Sequence, residues 1–295
     1  MFSDRGKGMN KAIMSVLTVW MFVCSMFIGL IGLGNIGNIE APYIPHNPIR
    51  INNNAEFASI AGSEGWVGNG SPGNPYIIEG YDINGSGYGY CIYIGNTTVY
   101  FVVRDSYLHE ASGIGSWPYY SDSGIILNNV HNGIITNNNA SSNNWHGIEL
   151  FLSRNTAIAN NTASSNKEYG IHHWESSNNT IINNTASNNG FGLVVTASSS
   201  NTIANNTVSN NGIGIQLSST SKNTITNNIA SSNNYYGIYL SYSSGNTFTY
   251  NEMVDEGIFV WGDMLEHWNT HIIDTTNTVN GKPVYYWKNQ NDNKK

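Results

Sequence analysis

The stretch "NTIANNTVSNNGIGIQL", residues 201–217, decides how this chain is read. Asparagine and threonine alternate with small apolar residues, and the run closes on Gly212, Ile213, Gly214 and Ile215. Asparagine favours turns and is depleted from helices and strand interiors, so a chain that repeats it must put it to structural use. Outward from this stretch the pattern recurs. Gly124, Gly147, Gly170, Gly192, Gly214 and Gly237 stand 23, 23, 22, 22 and 23 residues apart, and each opens a short run: "GIIL", "GIEL", "GIHH", "GLVV", "GIQL", "GIYL". A second ruler is Asn155, Asn179, Asn201, Asn223 and Asn246, each followed by threonine. A third is the doublets Asn160/Asn161, Asn183/Asn184, Asn205/Asn206 and Asn227/Asn228. Three rulers that agree on one period mean stacked structural units.

The units are built from strands. Apolar positions alternate, the runs span three to five residues, and Asn, Gly and Ser separate them, which is strand and turn chemistry. A coil of 22 or 23 residues with three short strands gives an all-β, single-stranded parallel β-helix solenoid, preceded by an N-terminal hydrophobic helix. Each strand pairs with its equivalent one coil away, at about 4.8 Å. The inward columns are then Ile125, Ile148, Ile171, Leu193, Ile215 and Ile238, with Leu127, Leu150, Val195, Leu217 and Leu240 two positions on. Ile135, Ile158, Ile181, Ile203, Ile225 and Phe248 face them. Ala140, Ala163, Ala186, Val208 and Ala230 form a small-residue column, so the interior is narrow and leaves no ligand channel. Stacked coils also answer the asparagine question. Asn161, Asn184, Asn206 and Asn228 lie one above another, and their amides form a ladder that satisfies inward turns beyond the reach of water.

Composition narrows the function. Charged residues are 11% of the chain, against roughly 25% in soluble proteins, and the net charge is -7, which argues against a nucleic-acid partner. Residues 12–34 carry no charge and follow Arg5, Lys7 and Lys11. That is the pattern of an export signal or signal anchor, and about 20 such residues suffice for one membrane crossing. The expected location is therefore secreted or cell-surface, with the membrane as a partner through this segment. Cleavage would remove Cys24 and leave Cys91 alone, so no intramolecular disulfide framework is expected.

The "NTIxxN" rhythm with "NNxxGI" turns resembles the right-handed parallel β-helix repeats of the NosD-like, carbohydrate-binding and sugar-hydrolase (CASH) type, which implies a right-handed solenoid. "GNPYIIEGYDI" (73–83) and "NTTVYFVVRDSYL" (96–108) are similar to the first coils of archaeal and bacterial surface members, and "NTVNGKPVYYWKN" (277–289) to their closing segment. The resemblance implies the β-helix fold and specifies no activity, since one fold hosts many functions. The expected organisation is a signal or anchor segment at 1–40, a leading segment with an N-terminal cap at 41–89, the β-helix at 90–255, and a C-terminal cap and tail at 256–295. A short helix is expected around 55–61, a protruding loop within 110–123, and a disordered tail at 290–295.

Chemistry in such a stack belongs on an outward strand face. The outward columns read Ile126, Glu149, His172, Val194, Gln216, Tyr239 and Asn128, Phe151, Trp174, Thr196, Ser218, Ser241. Glu149, Phe151, His172 and Trp174 thus meet across two coils, with Tyr169, Trp145 and His146 at the neighbouring turn. Phe151, Trp174, Tyr169, Trp145 and Tyr239 are the candidate carbohydrate contacts, since an apolar ring stacks on a sugar while polar edges bond its hydroxyls. The same rings could instead stack along the strands and shield the sheet. Glu149 and His172 are the candidate catalytic groups, but a glycosidase needs two acids roughly 5–10 Å apart, and Glu175 falls about 11 Å from Glu149 by strand spacing.

No cofactor and no metal site is expected. His172 and His173 point to opposite faces of one strand and cannot share an ion, and His267 and His271 lack a third ligand. Asn69, Asn84 and Asn96 are the best glycosylation sequons. Those at Asn160, Asn183 and Asn205 stack too closely for three glycans. The residues favour an exported cell-surface module, structural or interacting with polysaccharide or cell-envelope glycans. The alternatives are a polysaccharide-active hydrolase or lyase using Glu149, His172 and Trp174 and, from the resemblance alone, an accessory to metalloenzyme maturation.

Overall fold

A computed structural model describes residues 43–113 and 121–288, and there the chain winds as a parallel β-helix. One coil serves for all. Ile148–Phe151, Ala157–Ala159 and Thr162–Ser164 form three short strands. Each pairs in parallel with its equivalent in the next coil, Ile148 with Ile171, Ile158 with Ile181, and Ala163 with Ala186. Repetition yields, among the described residues, two nine-stranded sheets and one of eleven. We call them the GI, NTI and TAS sheets after their strand sequences. The eleven-stranded TAS sheet ends in an antiparallel turn, where Val279 pairs with Lys282. Parallel pairing runs from Ile44 to Val279.

Strand alternation puts the expected columns inside. Ile125, Ile148, Ile171 and Ile215, Leu127, Leu150 and Leu217, and Ile158, Ile181 and Ile203 are fully buried, and Ala163, Ala186 and Val208 close the narrow third wall. The interior is one continuous apolar cluster. His173 alone departs from its column. It lies between Leu150 and Val195 in register, is fully buried, and finds no partner for either ring nitrogen.

The asparagine ladder is present and longer than four rungs. Asn161 donates from Nδ2 to Asn184 Oδ1 at 3.0 Å, Asn184 to Asn206 at 3.0 Å, and Asn206 to Asn228 at 2.9 Å. Asn138 precedes this column and Asn251 and Asn277 extend it. Each Oδ1 also accepts the backbone N–H of the preceding rung, as Asn184 Oδ1 does from Asn161 at 2.9 Å. A second ladder runs through Asn143, Asn166, Asn189, Asn211 and Asn233. A third joins Asn179, Asn201, Asn223 and Asn246. They end on Asn277, on the Glu256 carboxylate and on His271 Nδ1.

The doublets have a division of labour. Asn160, Asn183, Asn205 and Asn227 adopt left-handed φ of 53–57°, a region asparagine tolerates better than other side chains, and each turns the corner that points its successor inward. Asn155 belongs to such a corner rather than to a ladder. It matches Asn178, with φ 52° and 59°, and Thr156 occupies the ladder position, its N–H donating to Asn179 Oδ1.

The ends are covered, which protects the open sheet edges of a solenoid. Helix α1, Asn54–Glu64, starts at Asn53, whose side chain caps the Glu56 N–H, and stops at Gly65 in the left-handed conformation. It brings Phe57 onto Tyr76 and Phe101 at ring separations of 4.9 and 5.3 Å. At the other end lie the short helix α2, Glu266–Asn269, and the strand Ile272–Ile273. Among the described residues no helix is long and apolar enough to cross a membrane. The hydrophobic helix and anchor expected at 12–34, most of the loop expected within 110–123, and the tail at 290–295 lie outside the described residues.

Candidate functional site

The site stands on the outward face of the GI sheet, where two adjacent strands meet in register. In Ile148–Phe151 and Tyr169–Trp174, Glu149 pairs with His172 and Phe151 with Trp174. The ruler glycines fix this register. A Cβ on Gly147 would lie 2.7 Å from the Gly170 carbonyl oxygen, so the coil closes there only on glycine. Phe151 and Trp174 pack edge to face at 5.1 Å, and Tyr169 sits 4.6 Å from the His172 ring. His146, one residue before the glycine, stacks flat on Tyr169 at 4.5 Å, with Trp145 edge-on at 5.8 Å.

The outward face is not uniformly open. Trp174 and Trp145 are exposed, but Glu149 retains only 4% of its surface, His146 4% and His172 9%. Their burial continues that of Tyr90, Tyr93 and Ile126, a small apolar cluster on the same face. Three polar groups are thus enclosed together. One nitrogen from each histidine and one Glu149 oxygen lie within 4.8 Å of one another. His172 Nδ1 is 3.6 Å from Glu149 Oε1, an electrostatic pairing longer than a hydrogen bond. Ser121 donates its hydroxyl to Glu149 Oε2. The Nδ1 atoms of His146 and His172 have no hydrogen-bond partner.

Burial alone would raise the Glu149 carboxyl, but the facing His172 ring and the Ser121 hydroxyl outweigh it and hold the group below the usual carboxylate range. Burial drives the His146 imidazole down to about 3 against the pull of Glu149, so the ring is neutral at physiological pH. Tyr169 is raised by burial and then by the charges of Glu168 and Glu149. The result is a carboxylate, two imidazoles and a phenol beneath a rim of aromatic rings. It suits proton transfer, ion binding or contact with a polyhydroxylated ligand.

The sequence columns place Glu149, His172, Phe151 and Trp174 together, and the structure agrees. His146 joins the cluster itself, where the sequence reading kept it at a turn and assigned it no role. His173 points inward, so it is His146 from the neighbouring coil that completes the histidine pair. Among the described residues His146, Glu149 and His172 thus form a group of possible metal ligands that the sequence reading did not single out. Tyr239 belongs elsewhere. Three strand pairings separate it from His172, through Val194 and Gln216, or about 14 Å at the inter-strand spacing. There it stacks on Tyr236 and Phe259 at 5.4 and 5.7 Å, a second aromatic patch on the same sheet face. The sequons Asn69, Asn84 and Asn96 are exposed, although Asn84 Nδ2 is held by Glu110.

A feature with no regular sequence signal is a groove of about 510 Å³ on the TAS side, lined by Pro45, His46, Asp82, Asn84, Tyr88 and His109 among others. There His109 Nε2 meets Asp82 at 2.9 Å.

A family described as "Right handed beta helix region" matches residues 49–176 and again 123–276. No curated protein matches the chain. Among solved structures the chain is similar to the Azotobacter vinelandii mannuronan C-5 epimerase AlgE4 A-module, with 18% identity, 78% of this chain and 84% of that one covered, and a TM-score of 0.47. It is also similar to XylC, solved in complex with xylose, at 14% identity and a TM-score of 0.52, covering 69% of this chain and 37% of XylC. The Dettilon tailspike protein matches at 14% identity over 79% of this chain and 63% of its own, with a TM-score of 0.45. At such identities the likeness is one of fold.

Proposed function

The chain belongs to the right-handed β-helix family, and on that scaffold we propose a glycan-binding module whose contact surface is the outward face of the GI sheet. The observation that carries this reading is the rim of Phe151, Trp174, Tyr169 and Trp145 around an enclosed carboxylate and two imidazoles. Rings supply apolar platforms for sugar faces, and the polar groups beneath can bond hydroxyls. The second patch, Tyr236, Tyr239 and Phe259, continues the same face along the axis, so a polymer lying across the coils would meet both. The xylose complex of XylC is of the ligand class these rings suit. The finer assignments belong to the same proposal. The Asn–Thr–Ile rhythm and residues 277–289 support a NosD-like, CASH-type placement, and the uncharged run 12–34 supports export to the cell exterior.

The test is affinity electrophoresis of the purified chain through gels containing neutral or acidic polysaccharides. Retardation by at least one polymer is expected, and Trp174→Ala with Phe151→Ala should abolish it. Unchanged mobility in every polymer defeats the proposal. Release of reducing or unsaturated ends, lost in Glu149→Gln, would establish catalysis in place of simple binding.

A further inference from the structure

We propose that His146, Glu149 and His172 form a binding site for one divalent first-row transition-metal ion, zinc foremost. The site stands whether or not the same face binds a glycan. Two imidazoles and one carboxylate are a borderline nitrogen–oxygen donor set, the kind that suits zinc and its neighbours rather than calcium or magnesium. The three donors are drawn together from two coils and lie within 4.8 Å of one another. Three atoms at that limit surround a centre about 2.8 Å from each, so closing to the 2.0–2.1 Å of a zinc–nitrogen bond asks about 0.7 Å of each side chain.

A second observation points to a ligand. The Nδ1 atoms of His146 and His172 are buried and have no hydrogen-bond partner, and His146 retains only 4% of its surface. Buried polar atoms are nearly always satisfied, and an ion is the partner that would satisfy both nitrogens at once. The surroundings fit a ligand set. Ser121 holds Glu149 Oε2 and leaves Oε1 facing His172, and the stacked Tyr169 ring fixes the plane of His146, the outer-shell support that metal ligands commonly receive. His173 stays outside the site because it faces the core, and His109 with Asp82 lies on a different sheet.

The experiment uses the full chain, stripped with chelator and titrated with Zn²⁺ by calorimetry and with Co²⁺ by visible absorption. One ion per chain is expected. His146→Gln, His172→Gln and Glu149→Gln should each weaken binding by more than about 100-fold, and Ser121→Ala by about 10-fold, since losing an outer-shell partner alone costs 10–100-fold. His109→Gln should change nothing. Should a variant fail to fold, imidazole NMR of the wild-type chain decides, because Co²⁺ must broaden His146 and His172 while sparing His109 and His271. Substoichiometric binding, or binding that survives the three substitutions or disappears in His109→Gln, overturns the proposal.

Discussion

Replacing Asn206 by alanine tests the principle on which the coil stack depends. Asn206 is almost fully buried, at 1% exposure. Its Nδ2 donates to the Ile181 carbonyl at 3.0 Å and to Asn228 Oδ1 at 2.9 Å, and its Oδ1 accepts the Asn184 N–H at 2.9 Å. Alanine leaves the Asn184 N–H with no acceptor and removes one donor from the Ile181 carbonyl. Asn184 Nδ2 keeps its bond to Ile158, and Asn228 Oδ1 keeps the Asn206 N–H, so two groups bear the loss. At roughly 1–3 kcal/mol for each buried unsatisfied group, the cost is about 2–6 kcal/mol. Urea denaturation followed by circular dichroism should show this as a lower midpoint, and exchange of the Asn184 amide with deuterium should accelerate. The control is the exposed neighbour Asn205, with φ 55°. Asn205→Ala should cost about 1–2 kcal/mol for the left-handed backbone, and Asn205→Gly less. If Asn206→Ala costs under about 1 kcal/mol, or no more than Asn205→Ala, the ladder does not hold the coils together.

His173→Leu should stabilise the fold by about 1–3 kcal/mol, because it removes two unpartnered buried nitrogens from a column whose neighbours are Leu150 and Val195; a lower urea midpoint would contradict this. His271 accepts the Asn246 N–H through Nδ1, and burial, with lesser contributions from Lys288 and His267, lowers its pKa. Its unfolded form titrates near 6.5, so its contribution is present above that value and is lost as pH falls below it. Melting temperature should therefore drop on acidification from pH 7, and drop less in His271→Asn, whose carbonyl acceptor does not titrate; identical pH profiles for the two proteins would refute the assignment. Cys91 is fully buried, and burial pushes its thiol well up. In a Cys24→Ser background it should ignore a disulfide-exchange reagent until urea unfolds the chain, and prompt native-state labelling would show the core open there.

Much of this fold is written in one dimension because the same contact recurs at one spacing. Once Gly147 and Gly170 are aligned, strand alternation puts Ile148 on Ile171 and Glu149 beside His172 without further information. The first coils hide the rule because they carry insertions. Ile49 pairs with Ile92 across α1, and Tyr93 with Ile126 across the segment that contains 110–123, separations that no repeat would suggest. Asn155 keeps the ruler's motif yet stands at a corner, because a threonine follows asparagine at corners and in ladders alike and only backbone conformation separates them. The site was legible as a column and illegible as a cluster. Glu149 and His172 follow from register, whereas the inward lean of His146 and the enclosure of all three depend on what covers the sheet from outside.

The three asparagine columns also run in a single sense, each rung's backbone N–H donating to the side-chain oxygen of the next rung toward the C-terminus. Such a head-to-tail series has two unlike extremities, and its final rung must meet a group that only accepts. The molecule supplies the Glu256 carboxylate for one column and the bare Nδ1 of His271 for another, while the remaining one turns its last amide onto the Phe248 and Asp274 carbonyls. These stoppers give the solenoid a polarity of growth. A duplicated coil inserted upstream of them inherits matching partners on both sides, whereas one appended after them meets acceptors with nothing to offer.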